Sequence, residues 1–395
     1  MMRNMLPSLK RLLSPDLGHV VITFLLVKAA LYVYAYVAWV WVPADERARP
    51  FTPLLDWPWL GIWQQWDAGA YIGIAERGYQ PGNAGLAVFF PLMGWLMAAL
   101  RLLVPNTFLA GVIVANLAML GAVLLLFRLT LLETGNVALA HRAVFYLLIF
   151  PTSFFTSTAY SESLFLLATI GSFYAWRRGR WLLAGWAGMA AQLTRFVGIV
   201  LAPVLVVAYV AHLRARHWRP DWGVLAPLLV LAGLGVYSLG LQLQLGDPMP
   251  FYGQRMEQFE RTTVPPWVSL TTAWDTVQGR NIHPDFPENW SRNLINLAST
   301  LLFLVLSAVA FWRLGAPYGT YMLLALLVAL SDSQLGDRAL AGMVRYNLAL
   351  FPGFILLAQW GARPAVDRLI TVMFILFLGL LTPFFLRGWS VAGVS

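Results

Sequence analysis

The residues best suited to chemistry lie in a polar stretch, residues 66–77, that follows the first long apolar segment. If this stretch is helical, Asp67, Tyr71 and Ile74 share one face, because they follow i, i+4, i+7 spacing. The pattern predicts a surface helix that presents one carboxylate beside an aromatic ring. We interpret Asp67 as the reactive group. The alternative is a solvated loop acid or a helix cap.

Glu162 is the second candidate acid, and it lies where two apolar segments meet. An acid close to hydrocarbon is expensive, which favours a functional role. Such a role includes binding an acceptor, orienting Asp67 or helping to hold a metal. The alternative is that Glu162 and Ser161 cap the following helix. The two interpretations are compatible.

The composition indicates the kind of scaffold that must position these acids. Hydrophobic residues make up 59% of the chain and charged residues 11%, whereas soluble domains carry roughly 25% charged residues. We therefore expect an all-α, polytopic membrane protein. The net charge of +9 comes from short basic clusters between apolar runs, which act as orientation signals, so a nucleic-acid partner is excluded. The absence of cysteine excludes disulfides and thiolate chemistry.

Eleven to twelve apolar segments form one predicted transmembrane domain over residues 1–395. The segments cover about residues 18–42, 87–104, 107–130, 142–158, 161–177, 181–194, 196–213, 223–245, 293–313, 318–335, 346–362 and 369–386. Several are shorter than the roughly 20 residues that a spanning helix requires.

Arginine clusters predict the orientation of the segments, because cytoplasmic loops carry an excess of Lys and Arg. The expected cytoplasmic clusters are Lys10-Arg11, Arg177 to Arg180, Arg214 to Arg219, Arg313 and Arg363 to Arg368. The N-terminus is then cytoplasmic, and the loops at about residues 43–86, 246–292 and 331–345 face outside. This orientation is consistent only if one early segment does not cross. We expect residues 87–104 to be that re-entrant or surface-lying element. The alternative is that all twelve segments cross.

Six short motifs together resemble a known family. They are, in chain order, Trp66-Asp67 to Gly78-Tyr79, Phe89-Phe90-Pro91, Pro151-Thr152-Ser153 to Tyr160-Ser161-Glu162-Ser163-Leu164-Phe165, Leu193-Thr194-Arg195, Gly246-Asp247-Pro248 and Arg345-Tyr346 to Phe351-Pro352. This order resembles the family of GPI mannosyltransferase 2 (PIG-V) and its bacterial relatives, over residues 60 to about 360. In that family the Thr-Arg motif continues Ser-Asn-Gly, whereas here it continues Phe196-Val197-Gly198.

The resemblance implies a membrane-embedded inverting glycosyltransferase of the C type (GT-C). It would move a sugar, mannose by analogy, from a polyprenyl-phosphate donor to a glycolipid or other acceptor hydroxyl on the outer face of the cell membrane. A lipid-linked donor needs no nucleotide-binding unit, and no Gly-x-Gly-x-x-Gly or phosphate-loop pattern occurs. One carboxylate suffices for inversion if it removes the acceptor proton. Asp67 would hold that role.

A leaving phosphate would require cations, and guanidinium groups offer forked donors to its oxygens. The predicted phosphate-binding residues are Arg195, Arg345 and Arg255. For each, the alternative is a snorkelling interfacial arginine. Aromatic and amide side chains close to these charges are expected to contact the substrates, namely Trp66, Tyr71, Tyr160, Gln254 and Tyr346. Lys28 lies deep in the first apolar segment, and the sequence assigns it no partner.

No cofactor is expected. No His-x-x-x-His or Asp-x-Asp pattern occurs in an outer loop, so a divalent ion between Asp67 and Glu162 remains a minority hypothesis. Two other classes of function stay open. A lipid or sugar transporter would show internal repeats with charges near the bilayer midplane. A non-catalytic subunit of a glycosylation complex would be told apart only by assay.

Overall fold

The computed structural model describes residues 15–43, 57–284, 287–334 and 336–387. The α-helices, in chain order, are α1 Pro15–Trp41, α2 Pro58–Gly61, α3 Asp67–Arg77, α4 Pro91–Leu100, α5 Thr107–Thr134, α6 Val137–Leu148, α7 Glu162–Arg177, α8 Trp181–Thr194, α9 Leu201–Ala215, α10 Ala226–Leu245, α11 Pro250–Phe259, α12 Pro266–Val277, α13 Asn289–Arg313, α14 Ala316–Ser331, α15 Met343–Asn347, α16 Phe351–Trp360 and α17 Pro364–Leu386. Two strands, β1 Arg261–Thr263 and β2 Asp332–Gln334, pair antiparallel. The all-α, multi-pass fold expected from the sequence is confirmed.

Within the described residues, six helices are long and apolar enough to span a membrane. They are Pro15–Trp41, Thr107–Thr134, Phe196–Ala215, Trp222–Leu245, Asn289–Arg313 and Pro364–Leu386. The remaining apolar segments form shorter helices. The predicted segment 142–158 is not one helix, because α6 ends at Leu148 and Pro151 precedes a 3-10 turn at Ser153–Ser157. Proline disfavours helix at the residue before it, which explains the break.

Small residues allow the helices of the bundle to pack closely. A Cβ atom on Gly185 of α8 would lie 2.9 Å from the Cα atom of Ala226 in α10. A Cβ atom on Gly188, one turn later, would lie 2.6 Å from the side chain of Val230. These distances are too short for a larger residue, so the two glycines set the separation of α8 and α10.

The predicted re-entrant segment, residues 87–104, is a bent pair of short helices. The 3-10 helix Pro81–Val88 and α4 meet at 111°. The ten residues of α4 extend about 15 Å, half the thickness of a bilayer core. Thr107, which follows this segment, donates a hydrogen bond of 2.8 Å to Glu76, which precedes it. Both ends of the segment therefore lie at the same end of the bundle, which favours the re-entrant interpretation.

Three contacts identify the two ends of the bundle. At one end, Glu162 at the start of α7 contacts Arg195 directly after α8. At the other, Arg177 at the end of α7 contacts Glu133 at the end of α5, which also accepts a hydrogen bond from Tyr318 at the start of α14. The 16 residues of α7 separate these ends by about 24 Å. The Arg177 to Arg180 cluster thus lies opposite Glu162, whereas Lys10-Arg11 falls outside the described residues.

Candidate functional site

Four charged side chains from four parts of the chain form one ion-pair chain. Arg345 donates through Nη2 to Asp67 Oδ2 at 2.7 Å and through Nε to Glu162 Oε1. The same Glu162 oxygen accepts from Arg195 Nη1 at 2.6 Å. Arg345 therefore links the two candidate carboxylates. The side chains of Glu162 and Arg345 are only 4% and 10% exposed, so water screens these pairs little.

Asp67 is the first residue of α3, as the spacing predicted. The preceding Trp66 has a φ of 48° and a ψ of −116°, a sparsely populated backbone conformation that costs a residue with a side chain roughly 1–3 kcal/mol. The backbone N–H of Asp67 donates to Tyr160 Oη at 3.1 Å, and that hydroxyl donates to the carbonyl of Gln65 at 3.0 Å. This strained turn and its tyrosine clamp orient Asp67.

The face of α3 that carries Asp67 packs as expected, with Tyr71 and Ile74 buried. Tyr71 Oη donates to Ser161 Oγ at 2.8 Å. Burial raises the pKa of the Tyr71 phenol, so it stays a neutral hydrogen-bond donor. Ser161 therefore holds α3 against the start of α7. Its side chain makes no capping bond to α7, so the suggested capping role of Ser161 is wrong.

Glu162 occupies the first turn of α7, where a negative charge is favourable, and also pairs with two arginines. Its Oε2 atom is buried and has no hydrogen-bond partner among the described residues. Glu162 thus places its charge in the first turn of α7, while the start of α7 has no side-chain capping bond. The contact through Arg345 supports the role of orienting Asp67.

Arg345 is held by aromatic rings as well as by carboxylates. Its guanidinium carbon lies 4.5 Å from the ring centroid of Phe155 and 4.8 Å from that of Tyr160, within cation–π range. Burial lowers the pKa of Arg345, but the Asp67 and Glu162 carboxylates outweigh burial and hold that pKa well above its usual value. Arg345 is therefore a fixed cation.

A cavity of about 220 Å³ opens beside the ion-pair chain. Its polar lining includes Asp67, Tyr71, Glu162, Arg195, Arg255, Arg261, Asp332, Arg345 and Tyr346. The remaining lining is largely apolar and includes Ala325, Leu326 and Ala329 of α14 together with Phe196 and Val197. The cavity is thus lined both by charged groups and by hydrocarbon side chains.

Phe196 and Val197 belong to a tight 3-10 helix that follows Arg195. Gly198 ends the motif, and a Cβ atom there would lie 2.5 Å from the backbone nitrogen of Gln192. Glycine is therefore required at this position, because any larger residue would displace the end of α8. The 3-10 helix directs two apolar side chains to the cavity where the resembled family carries Ser and Asn.

A second group of charges lines the cavity at the two-stranded sheet and at α11, which precedes it. Arg255 Nη1 and Arg261 Nη1 lie 3.3 Å and 3.5 Å from the carboxylate of Asp332. Sequence reasoning included Arg255 but missed Arg261. No local pattern distinguishes Arg261 from other loop arginines, since pairing of β1 with β2 brings together residues 71 positions apart.

The other predicted contact residues divide between the cavity and its surroundings. Tyr71 and Tyr346 line the cavity. Tyr160 lies outside the lining and contacts both Arg345 and Asp67. Trp66 is 40% exposed and does not line the cavity. Gln254 is also outside the lining and donates to Glu257 at 2.8 Å. The structure therefore brings Tyr71, Tyr160 and Tyr346 to the site but not Trp66 or Gln254.

The sequence assigned no partner to Lys28, but in the structure its ammonium group donates to three acceptor atoms. Its Nζ donates to the carbonyl oxygen of Thr156 at 2.9 Å, to Thr156 Oγ1 at 2.8 Å and to Ser157 Oγ at 2.7 Å. Lys28 therefore fixes the 3-10 turn Ser153–Ser157 that leads into Tyr160 and Glu162. Lys28 is buried in α1 and contacts the site residues only indirectly, through this turn.

Among the described residues, no group of three or more His, Cys, Asp or Glu side chains is arranged so that it could hold a metal ion. Asp67 and Glu162 share Arg345 between them, so a cation already occupies the position between the two carboxylates.

The family resemblance is confirmed by comparison with family models. Residues 54–216 match the model described as mannosyltransferase (PIG-V). This region contains α3, the 3-10 turn before Glu162, and Arg195. None of the curated proteins matches the chain.

Solved structures that match this chain share little sequence with it. ArnT from Cupriavidus metallidurans, bound to undecaprenyl phosphate, is 13% identical with a TM-score of 0.48, and the alignment covers 93% of this chain and 77% of that one. The oligosaccharyltransferase of Archaeoglobus fulgidus, tethered to an acceptor peptide, is 13% identical with a TM-score of 0.38 and a coverage of 93% and 56%. The present chain thus spans about half of the oligosaccharyltransferase. The family match and the multi-pass helical structure together support a membrane glycosyltransferase.

Proposed function

We propose that this protein transfers a sugar of the mannose type from a polyprenyl-phosphate donor to an acceptor hydroxyl, with Asp67 as the general base. The proposal rests on the lining of one cavity. This lining contains Asp67, arginine side chains and a wall of apolar side chains. A lipid-linked phosphosugar has the same two halves, since it joins a hydrocarbon chain to an anionic headgroup. The PIG-V family match supports mannose as the sugar.

The apolar wall supports a lipid-linked donor. It comes from Ala325, Leu326 and Ala329 on α14, a helix with an apolar sequence, and from Phe196 and Val197. The small side chains of Ala325 and Ala329 on α14 leave room for a polyprenyl chain, and the apolar wall resembles the hydrocarbon that surrounds such a chain in the bilayer. A water-soluble nucleotide sugar would gain nothing from this wall.

The proposed reaction is a single inverting displacement. The acceptor oxygen forms a bond to the anomeric carbon while the bond from that carbon to the phosphate oxygen breaks, and the phosphate leaves with the electron pair. Asp67 takes the proton of the acceptor hydroxyl. One of its oxygens is held by Arg345, and a carboxylate has lone pairs on both oxygens, so the other remains available as the base. A general base contributes about 10²–10⁴-fold in rate.

Glu162 acts in this scheme as a positioning residue. It holds Arg345, and Arg345 in turn holds Asp67. Glu162 also holds Arg195, so its buried carboxylate organises both arginines. The proton-accepting role is thereby reserved for Asp67.

We further propose that the site faces the outside of the cell membrane and that the N-terminus faces the cytoplasm. Asp67 lies at the end of the bundle opposite the Arg177 to Arg180 cluster, which the positive-inside rule assigns to the cytoplasm. An outer site suits an acceptor that is a glycolipid of the outer leaflet.

The transporter alternative has less support. Its functional charges would lie near the midplane on helices of two corresponding halves. Here the described charges of the cavity gather at one end of the bundle, around α3, the start of α7 and the two-stranded sheet. The alternative of a non-catalytic subunit predicts no turnover by the purified protein.

The test is the Asp67→Asn variant, reconstituted in liposomes with radiolabelled polyprenyl-phosphate mannose and a total lipid extract as acceptor. We expect the rate of mannose transfer to fall at least about 100-fold, the lower limit for loss of a general base. The melting temperature should fall less than in a Glu162→Gln variant and stay above the assay temperature, because Asp67 is 17% exposed, the amide still accepts from Arg345, and Arg345 keeps Glu162.

Asp275→Asn is the matched control, since this acid is 37% exposed and pairs with Arg280 outside the cavity. Its activity should equal that of the wild type. Transfer by Asp67→Asn at the wild-type rate would disprove the base assignment, and absence of transfer by the wild type would contradict the enzymatic function.

A further inference from the structure

The sheet end of the cavity carries a buried arginine, Arg261, and a partly buried one, Arg255, which share one carboxylate. The side chains of Arg255, Arg261 and Asp332 are 18%, 8% and 24% exposed. Among the described residues, the ion pairs of both arginines go to Asp332. The Nε atom of Arg255 is buried and has no hydrogen-bond partner among the described residues. This end of the cavity therefore holds an excess of positive charge.

The Asp67 end of the same cavity is balanced in charge. There the two carboxylates of Asp67 and Glu162 face the two guanidinium groups of Arg345 and Arg195. A donor phosphate that approached this end would meet two negative charges as well as two positive ones. Removing charges from water without full compensation is costly, so the uncompensated positive charge at the sheet end attracts an anion more strongly.

Tyr346 separates the two ends. The guanidinium carbon of Arg195 lies 5.7 Å from the centroid of its ring and that of Arg261 lies 5.9 Å from it. Both arginines and the ring border the cavity. A headgroup that fills the cavity next to Tyr346 can therefore contact one end with its sugar and the other with its phosphate.

We infer that the donor phosphate binds at the sheet end, between Arg255 and Arg261. The carboxylate of Asp332 pairs with both guanidinium groups until the phosphate displaces it. The identity of the ligand rests on the proposed function. The site itself rests on the charge excess and the cavity. Arg195 and Arg345, which the sequence had also suggested for phosphate, serve instead to organise Glu162 and Asp67.

The role of Arg261 extends to the loop that carries Arg345. Arg261 Nη1 donates to the carbonyl of Asp332 at 2.9 Å, and Nη2 donates to the carbonyl of Ala341 at 3.3 Å. Residue 341 lies only four positions before Arg345. A phosphate bound by Arg261 would therefore be placed by the same segment that positions the cation beside Asp67.

The test measures binding rather than turnover. Purified protein in nanodiscs is titrated with undecaprenyl phosphate, with polyprenol that lacks the phosphate, and with inorganic phosphate. We expect Arg255→Gln and Arg261→Gln each to raise the Kd for undecaprenyl phosphate at least tenfold. Arg261 also donates to two carbonyl groups, so Arg261→Gln removes structural contacts as well. Arg261→Lys is therefore measured beside Arg261→Gln. The lysine variant should keep the melting temperature and still bind more weakly, since an ammonium group lacks the fork.

Asp332→Asn distinguishes a ligand site from a structural ion pair. If Asp332 competes with phosphate, the variant should bind undecaprenyl phosphate at least threefold more tightly while its unliganded form melts at a lower temperature. A purely structural pair would lose stability and gain no affinity. Arg280→Gln is the matched control, because Arg280 is 64% exposed and contacts Asp275 outside the cavity.

Three results would overturn the inference: unchanged binding in both Arg255→Gln and Arg261→Lys, polyprenol binding as tightly as undecaprenyl phosphate, or no gain of affinity in Asp332→Asn. If inorganic phosphate alone displaces undecaprenyl phosphate, the two arginines bind phosphate without help from the apolar wall. Failure of this inference would leave the Asp67→Asn result untouched, because that variant should keep its affinity for undecaprenyl phosphate.

Discussion

Neutralising Glu162 tests how the ion-pair chain controls Asp67. One oxygen of Glu162 accepts from both Arg345 Nε and Arg195 Nη1. Glu162→Gln keeps the size of the side chain but removes its negative charge. The variant therefore weakens two charge-assisted hydrogen bonds at once and leaves Arg345 with Asp67 as its only carboxylate partner among the described residues.

The structure sets the size of the expected effect on stability. Breaking a buried ion pair costs about 3–5 kcal/mol, because the remaining charge is uncompensated. Glu162 is 4% exposed, but Arg345 keeps its pair with Asp67, and Arg195 is 20% exposed and partly hydrated. We therefore expect a loss near the lower limit, about 3 kcal/mol.

The expected effect on turnover follows from geometry. Without Glu162, the guanidinium of Arg345 is no longer held through Nε, and Asp67 loses its fixed orientation. A displacement of about 1 Å at a reacting group can lower the rate about 100-fold. We expect kcat to fall between about 10- and 100-fold with KM nearly unchanged, since Glu162 orients the base rather than binding the substrate.

The assay compares Glu162→Gln, Glu162→Asp and the double variant with Asp67→Asn, using mannose transfer in liposomes and thermal unfolding. Glu162→Asp should recover part of the stability but little activity, because its shorter side chain cannot reach both arginines. Glu257→Gln is the matched control, since Glu257 is exposed and accepts from Gln254 outside the cavity. If Glu162 acts through Asp67, the double variant should be no slower than Asp67→Asn alone. Full activity in Glu162→Gln, or losses that multiply in the double variant, would refute the reasoning.

The remaining predictions concern topology and the support of the site. Single cysteines at Gly82 and Arg101 in this cysteine-free chain should both react with a membrane-impermeant reagent from outside. A cysteine at Arg178 should react only after permeabilisation. Protection of the Arg101 site alone would show that the segment before it crosses the membrane. Lys28→Met should lower stability by about 1–3 kcal/mol, since it leaves buried acceptors in the turn at residues 153–157 unpaired, and mannose transfer should fall with it. Unchanged melting and transfer would mean that Lys28 does not fix this turn.

Local spacing was enough to predict the parts of the site that lie within one element. The helix Asp67–Arg77 begins within one residue of its expected start, and Tyr71 and Ile74 are buried on the predicted face. The position of Glu162 at the start of a helix was also predicted, because an acid that opens an apolar segment is typical of a first helical turn. Both inferences depend only on neighbouring residues.

Contacts between distant residues could not be predicted in the same way. Arg345 and Glu162 lie 183 positions apart, and only the packing of the bundle shows that Arg345 joins the two acids rather than standing alone. Arg261 was missed because its importance arises from the pairing of two three-residue strands, which are too short for a recognisable alternating pattern. The break at residues 149–157 was missed because proline within an apolar run is also found inside transmembrane helices.

In the proposed mechanism, the distribution of charge in the cavity assigns base orientation and phosphate binding to separate arginines. A general base needs a carboxylate held in a fixed orientation, and Arg345 holds the carboxylate of Asp67 in this way. A phosphate needs a cation whose charge is not already balanced, which Arg345 cannot offer while it holds two carboxylates. If one arginine served both tasks, binding of the donor would compete with the orientation of the base. Separating Arg255 and Arg261 from Arg345 by the ring of Tyr346 removes that conflict, so that donor binding and proton removal can occur together in one cavity.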